Sequence, residues 1–176
     1  MGSDNLPAAG GKGRFSWTLL GLTLGLALLY FFRLGAPGLM DPDEGRYAEI
    51  AREMLVSGNY WVPQLNFLPY LEKPPLVYWL TALSLRLLGL NEGAARLTPA
   101  LSALLGILGV YWLGRRIFDA PTALLAAVVT ATSWGYFLSG RLLTLDMPLT
   151  CCFIWGLGLA YYAWERQQRN YLWGSY

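Results

Sequence analysis

The stretch DPDEGRYAEIAREM (residues 41–54) predicts an amphipathic helix between segments apolar enough to cross a membrane. Asp41 can cap this helix, Pro42 suits its first position, and Glu44 completes a capping box three residues after the cap. The apolar side chains recur at helical spacing and form one stripe, made of Tyr47, Ile50, Met54 and Leu55. The pattern predicts a helix over 42–56 that lies on the membrane surface and has an acidic start.

The rest of the chain has the composition of a membrane protein. Of its 176 residues, 55% are hydrophobic and 14% are charged, whereas soluble domains carry about a quarter charged residues. Four uncharged stretches are each at least 18 residues long, and a membrane span needs roughly 20 apolar residues. The residues that bracket these stretches are Arg14 and Arg33, Arg96 and Arg115, Asp119 and Arg141, and Asp146 and Glu165. This composition excludes a soluble domain, a disordered chain and a disulfide scaffold, and the net charge of +2 is too weak to indicate nucleic acid as a partner.

A fifth apolar segment, 74–85, leaves two topologies open. If it crosses the membrane there are five spans, and the basic residues that follow the third and fifth spans lie outside, against the positive-inside trend. If it lies on the membrane surface there are four spans, and the inside segments carry six basic residues in 32, against seven in 73 outside. We favour an all-α integral membrane fold with four spans and two external surface helices. This topology places Asp43 and Asp146 on the same, external side.

The four-span topology divides the chain into three parts. Residues 1–14 are expected to be a disordered cytoplasmic N-terminus. Residues 15–165 form the transmembrane module, in which 34–96 is an external loop, and long loops of this kind tend to carry function. Residues 166–176 are expected to be a cytoplasmic tail.

Acidic residues in the two external segments are the first candidates for chemistry. Asp43 has no capping duty, whereas Asp41 and Glu44 fit helix capping and a favourable interaction with the helix dipole. Asp146 is expected at the edge of the bilayer. Inserting an acidic side chain to membrane depth costs on the order of 3 kcal/mol, so such a residue is usually functional or paired. The alternative for Asp146 is that it caps the fourth span, just ahead of Pro148.

Two basic residues of the external loop have ordinary alternatives as well. Arg46 is spaced to pair with Glu49 three residues on, and Lys73 stands beside Glu72, with which it can form a solvated pair. Such surface pairs contribute little energy.

Four motifs, in order along the chain, resemble the N-terminal part of the GT-C membrane glycosyltransferases. They are DEGRYAEIAREM (43–54), YLEKPP (70–75), GRRIF (114–118) and TLDMP (144–148). The resemblance is to the bacterial lipid A aminoarabinose transferases and their relatives in the first place, with the protein O-mannosyltransferases further off. The resemblance covers the predicted transmembrane module, and members of the family are several times longer than this chain.

This resemblance implies an inner-membrane enzyme with its active site on the periplasmic side. Such an enzyme takes a sugar from a polyprenyl-phosphate carrier and transfers it to an acceptor, which is lipid A, a protein or another glycan. The expected partners are therefore the lipid-linked donor, the acceptor and membrane lipids.

The family's functional positions carry over to this sequence residue by residue. The acids implied in catalysis are Asp43, Glu44 and Asp146. The residues implied in substrate binding are Arg46, Tyr47, Tyr70 and Lys73. No cofactor is certain, but a divalent metal ion is a candidate, with Glu72 as its ligand. The sequence contains no histidine, so a partner ligand for the metal would come from outside this segment.

The chemistry expected of these residues is sugar transfer from a lipid phosphate. Asp43 is the expected base for the acceptor's proton, and Asp146 is the second acid, which orients a substrate or binds metal. Arg46 and Lys73 are expected to stabilise the phosphate as it leaves. The sequence has no nucleotide-binding glycine pattern, which favours a lipid-linked donor over a nucleotide sugar.

Two other classes of function stay open on the sequence alone. A transporter or flippase would carry acids near the middle of its spans, whereas the acids here lie in loops. An inactive membrane subunit would only associate with partners, which the glycine-rich spans permit.

Overall fold

The computed structural model describes residues 21, 23–40 and 42–166. Its elements in chain order are α1 (23–31), α2 (Asp43–Ser57), β1 (Gln64–Leu65), β2 (Leu68–Pro69), α3 (Leu76–Leu88), α4 (Glu92–Ala95), α5 (Leu97–Ile117), α6 (Ala120–Thr132), α7 (Trp134–Arg141) and α8 (Asp146–Arg166). The predictions made for 1–14, the first part of the first span, the Asp41 cap and 167–176 lie outside the described residues.

The predicted all-α membrane architecture is confirmed by the helices of the described segment. Helices α5 and α8 are long and apolar enough to cross a membrane, and α6 with α7 makes a third span if the bent pair is counted as one. Helix α5 packs against both α6 and α8. Gly109 of α5 allows α8 to come close, because a Cβ atom at this position would lie 2.9 Å from Ile154.

The predicted third span is not one straight helix. It bends by 62° between α6 and α7, at Ser133. The hydroxyls of Thr130, Thr132 and Ser133 each donate a hydrogen bond to a carbonyl of the preceding turn. Hydroxyl residues that bond back to the helix in this way bend it, which explains the break.

The beginnings of α5 and α8 lie at the same end of the bundle. At the opposite end, Arg116 near the end of α5 donates a hydrogen bond of 3.2 Å to Glu165 near the end of α8. The two helices therefore run in the same direction. The loop before α5 and the linker before α8, residues 142–145, therefore lie at the same end of the bundle.

Helix α2 is the predicted amphipathic helix, shifted by one residue. It ends at Gly58, which adopts a positive φ of 69° and donates its N–H to the carbonyl of Met54. The predicted apolar stripe faces the core, with Tyr47 and Ile50 buried along with Met54 and with Leu55 half-buried.

Helix α3 is the second predicted surface helix. It has 13 residues and is therefore about 20 Å long, too short for a hydrocarbon core about 30 Å thick. One face packs against α2, and the opposite face exposes a leucine stripe formed by Leu76, Leu80, Leu83 and Leu87. This division supports its assignment as a surface helix rather than a span.

A β-hairpin between the surface helices was not predicted from the sequence. Strands β1 and β2 pair in antiparallel register, and the turn residues Asn66 and Phe67 both have positive φ, 55° and 60°. The buried carboxylate of Glu53 accepts the N–H groups of both turn residues, at 2.7 and 2.9 Å. The hairpin is therefore held to α2 by a contact 13 residues away in sequence, which no local pattern signals.

Candidate active site

The centre of the candidate site is a buried ion pair between Glu44 of α2 and Arg96, which lies just before α5. Arg96 Nε and Nη2 donate hydrogen bonds of 2.8 and 2.7 Å to the two carboxylate oxygens. The remaining Arg96 donors bind the carbonyls of Leu34, Pro37 and Gly38. Both side chains are almost fully excluded from solvent, at 2% and 3% exposure.

The carboxylate of Glu44 also binds two backbone N–H groups. Leu143, in the linker before α8, donates at 2.7 Å, and Met40 donates at 2.9 Å. Burial raises the pKa of Glu44, but the bonds from Arg96 and these N–H groups outweigh it and hold the pKa below its ordinary value.

Glu44 joins the two acidic segments that the sequence predicted to share a site. Asp43 directly precedes it, and Asp146 lies three residues after Leu143, whose N–H Glu44 accepts. Both acids act on the same tyrosine, since burial and the charges of Asp43 and Asp146 all raise the pKa of Tyr47. The bond from Leu143 to Glu44 therefore brings the segments of Asp43 and Asp146 to one end of the bundle.

The geometry favours a positioning role for Glu44 over the catalytic role that the resemblance implied. Its oxygens accept four hydrogen bonds, from Arg96 twice and from Leu143 and Met40. A carboxylate has about four lone-pair directions, so Glu44 has none left for a substrate. Glu44 was also expected to complete a capping box at the start of α2. Its carboxylate instead accepts the backbone N–H of Met40, which lies before the helix.

The candidate catalytic acid Asp43 belongs to a chain of polar side chains. Arg46 Nη2 donates to Asp43 at 2.9 Å, and its Nη1 makes a long contact of 3.4 Å with the Tyr70 hydroxyl. Tyr70 in turn donates to Glu72 at 2.9 Å. Four residues predicted for the site, Asp43, Arg46, Tyr70 and Glu72, thus form one connected cluster.

The cluster is open to solvent on one side. The Asp43 side chain is 58% exposed, and that of Arg46 is 31% exposed. An exposed pair of this kind contributes little to stability and exchanges partners at low cost. The guanidinium is therefore available to an incoming anion, and the carboxylate to an acceptor hydroxyl.

The alternative pairing of Arg46 with Glu49 does not form. Arg46 turns back along the helix to Asp43, while Glu49 is occupied by two hydrogen bonds from Arg52, at 2.8 and 2.6 Å. In this pairing with Asp43, the Arg46 guanidinium also lies beside the Tyr70 hydroxyl.

Lys73 and Asp146 are exposed and stand apart from the cluster's hydrogen bonds. Among residues 42–166, neither side chain has an ion-pair partner, so the solvated pair of Lys73 with Glu72 does not form. Asp146 is the first residue of α8. The structure therefore leaves both groups free to meet a ligand.

A metal site is not complete in this segment. In the described residues no group of three His, Cys, Asp or Glu side chains comes close enough to share a metal ion. Glu72 has the Tyr70 hydroxyl as its neighbour rather than a second acid. The residues present do not fit a metal ion on their own, and no step proposed below uses one.

Sequence reasoning missed two residues of this region. Arg96 was treated only as a boundary of a predicted span, although an arginine at the start of an apolar helix signals a need for an acidic partner. Tyr78 of α3 is fully buried against Tyr47, with ring centroids 5.9 Å apart, and no local pattern singles it out.

The fold and the arrangement of its acids define the N-terminal part of a GT-C membrane glycosyltransferase fold. The crystal structure of ArnT from Cupriavidus metallidurans bound to undecaprenyl phosphate is similar, with a TM-score of 0.76 and 37% identity over 81% of this chain and 26% of that chain. The structure of the same protein in the apo state has a TM-score of 0.73 over 84% of this chain.

The chain belongs to the dolichyl-phosphate-mannose-protein mannosyltransferase family, whose sequence profile matches residues 72–176. An undecaprenyl phosphate-alpha-4-amino-4-deoxy-L-arabinose arabinosyl transferase from Erwinia tasmaniensis is 43% identical over 125 residues, 70% of this chain and 23% of that protein. The protein of the same name from Edwardsiella ictaluri is 37% identical over 142 residues, 76% of this chain and 26% of that protein. The chain thus spans about a quarter of the length of the relatives it matches.

Proposed function

We propose that the full-length protein transfers a sugar from a polyprenyl-phosphate carrier to an acceptor, with lipid A as the acceptor to test first. The reaction takes place at the periplasmic face of the inner membrane, and this chain supplies the N-terminal part of the active site. Relatives named as arabinosyl transferases that use an undecaprenyl phosphate carrier support this donor class. A similar structure bound to undecaprenyl phosphate supports it as well.

The observation that carries the proposal is the convergence of Asp43, Arg46 and Asp146 at one end of the bundle. Asp43 and Arg46 are hydrogen-bonded there, and Asp146 lies at the same end because Glu44 holds the linker that precedes it. The surface helix α3, which packs against α2, exposes a leucine stripe suited to lie on lipid. A lipid phosphate sits at the membrane surface with its tail among apolar side chains. The position and chemistry of the cluster match the sugar-phosphate headgroup of such a donor.

In the proposed reaction, the bond between the sugar's anomeric carbon and the phosphate oxygen breaks. A new bond forms between that carbon and the oxygen of the acceptor hydroxyl. The proton of the hydroxyl passes to the Asp43 carboxylate, and the carrier leaves as a polyprenyl phosphate whose charge is neutralised by Arg46 and Lys73. Asp146 orients the acceptor or the sugar beside Tyr47.

The pairing of Arg46 with Asp43 gives this mechanism an order. Before the donor binds, one carboxylate oxygen of Asp43 is occupied by a hydrogen bond of 2.9 Å from Arg46. A donor phosphate competes for Arg46, since guanidinium groups bind phosphate with two parallel hydrogen bonds. The carboxylate is then free to accept the acceptor's proton once the donor is in place.

The proposal is tested in cells with and without the full-length gene, by mass spectrometry of lipid A and of glycoproteins. A sugar that is present on lipid A only in cells with the gene supports the proposal. A matched strain carrying the Asp43→Asn enzyme separates catalysis from mere presence of the protein. Unchanged lipid A together with a modified glycoprotein would retain the reaction and replace the acceptor, and no change in either would refute the transferase function.

A further inference from the structure

Tyr78 of α3 is a buried polar group without a partner. Its side chain is fully shielded from solvent, yet its hydroxyl has no hydrogen-bond partner among the described residues. Buried hydroxyls are almost always hydrogen-bonded, because an unmade bond costs the full desolvation of the group. A tyrosine kept where phenylalanine would pack equally well calls for a reason.

The Tyr78 side chain adjoins the candidate active site. The Tyr78 ring packs on Tyr47, and the Tyr47 ring lies under the guanidinium of Arg46, 5.8 Å from its centroid. Burial raises the pKa of Tyr78 well above its ordinary value, and Tyr70, Tyr47, Arg46 and Glu72 also act on it electrostatically. One ring, that of Tyr47, therefore lies between Tyr78 and the guanidinium of Arg46.

The Tyr70 hydroxyl is occupied both as donor and as acceptor in the described arrangement. Tyr70 donates its only proton to Glu72 and accepts from Arg46. A phosphate that takes Arg46 removes this contact and leaves the Tyr70 oxygen free to accept a hydrogen bond. Tyr78, eight residues further along the chain, has a hydroxyl proton that no described residue accepts.

We propose that Tyr78 is a positioning residue for the lipid-phosphate donor, whose hydroxyl gains a hydrogen bond to the cluster when the donor's phosphate engages Arg46. The bond forms directly to Tyr70 or through one water, and it favours the arrangement of Arg46 and Tyr70 that holds the phosphate. Binding thus recovers free energy that the buried hydroxyl forfeits beforehand. This inference rests on the proposed function, since it takes a polyprenyl phosphate as the ligand.

Thr81 supplies a matched control on the same helix. Its hydroxyl is also fully buried and has no hydrogen-bond partner among the described residues, where no contact joins it to the cluster. Tyr78→Phe and Thr81→Val each remove one buried, unpartnered hydroxyl and keep the shape of the side chain. Both variants should unfold at a temperature equal to or above that of wild type, because each loses an unsatisfied polar group.

The test uses the purified full-length enzyme in detergent, with undecaprenyl phosphate as the probe. The midpoint of thermal unfolding is titrated against the probe for wild type, Tyr78→Phe and Thr81→Val, and the donor KM and kcat are measured for each. Tyr78→Phe should bind the probe about tenfold more weakly and raise the donor KM by a similar factor, with kcat within about twofold of wild type. Thr81→Val should behave as wild type in both measurements.

Each other outcome has a definite meaning. Equal probe binding in the two variants overturns the positioning role, and so does a Tyr78→Phe enzyme that is less stable than wild type or fails to fold, because the hydroxyl would then serve the fold. A wild-type enzyme that is not stabilised by undecaprenyl phosphate refutes the donor class of the proposed function instead.

Discussion

Glu44 and Arg96 are 52 residues apart in sequence and share two hydrogen bonds, of 2.8 and 2.7 Å, in a site almost free of solvent. Through this pair the start of α2 is fixed to the start of α5, and the N–H of Leu143 fixes the start of α8 to the same carboxylate. Asp43 and Asp146 owe their proximity to this arrangement.

Loss of Arg96 should destabilise the protein strongly. Arg96→Met leaves the Glu44 carboxylate buried without its cation, and breaking a buried pair in this way costs about 3 to 5 kcal/mol. The exposed pair of Arg52 with Glu49 provides the control, since Arg52→Met should cost less than about 1 kcal/mol. Thermal unfolding of the two variants in the same detergent measures the difference, and equal losses would contradict the structural weight given to Arg96.

Stability should fall in acid because of Glu44. The folded state holds the pKa of this carboxyl below its ordinary value of 4.5, so it contributes stability above that pH. The contribution is lost as the pH falls through the lower, folded-state pKa. Unfolding temperatures measured from neutral pH downward should therefore drop more steeply for wild type than for Glu44→Gln, and parallel profiles would rule out this linkage.

Asp43→Asn should remove nearly all turnover with little loss of stability. The amide keeps the shape of the carboxylate but cannot take a proton, and general base catalysis is worth roughly 100- to 10,000-fold. Stability should change little because the side chain is exposed and its pair with Arg46 is weak. Glu49→Gln, on the same helix, is the control and should stay active; an active Asp43→Asn enzyme would make Asp146 the leading candidate for the base.

Lys73→Ala should weaken donor use without unfolding the protein. The side chain is exposed and makes no ion pair with another described residue, so the fold does not depend on it. The donor KM should rise, and Lys73→Arg should recover part of the loss because it restores the charge but not the compact ammonium. Arg86→Ala removes another exposed cation, on α3, and should leave the donor KM unchanged; identical kinetics in both alanine variants would take Lys73 out of the site.

The four-span topology places the loop before α5 and the loop after α5 on opposite sides of the membrane. Single cysteines are placed at Gln64 and Phe118 of the full-length protein, in a background in which Cys151 and Cys152 have been replaced. An impermeant reagent added to the periplasmic side should label the cysteine at Gln64 and spare the one at Phe118. Labelling at both positions would mean that α3 crosses the membrane, as in the five-span alternative.

Much of the fold could be read from local patterns. The apolar runs predicted the long helices, the spacing of Tyr47, Ile50 and Met54 predicted α2, and the short apolar run beginning at 74 predicted α3 as a surface helix. Each depends on the periodicity of a single segment, which the backbone geometry of one helix is enough to satisfy. The bend at Ser133 was not predicted, because a continuous apolar stretch does not show which hydroxyl groups donate hydrogen bonds to the helix backbone.

Local patterns in the amino-acid sequence were enough to assign the chemical groups to their elements, because helix periodicity and the length of a membrane span act within one segment. These patterns could not decide what each charged group does, since Asp43 and Glu44 are neighbours with the same local signals. Only the tertiary structure separated them: Glu44 turns inward to Arg96 and is saturated with hydrogen bonds, while Asp43 stays exposed beside Arg46. The physical reason is that a buried charge must find partners from distant parts of the chain, and those partners are chosen by how the helices pack.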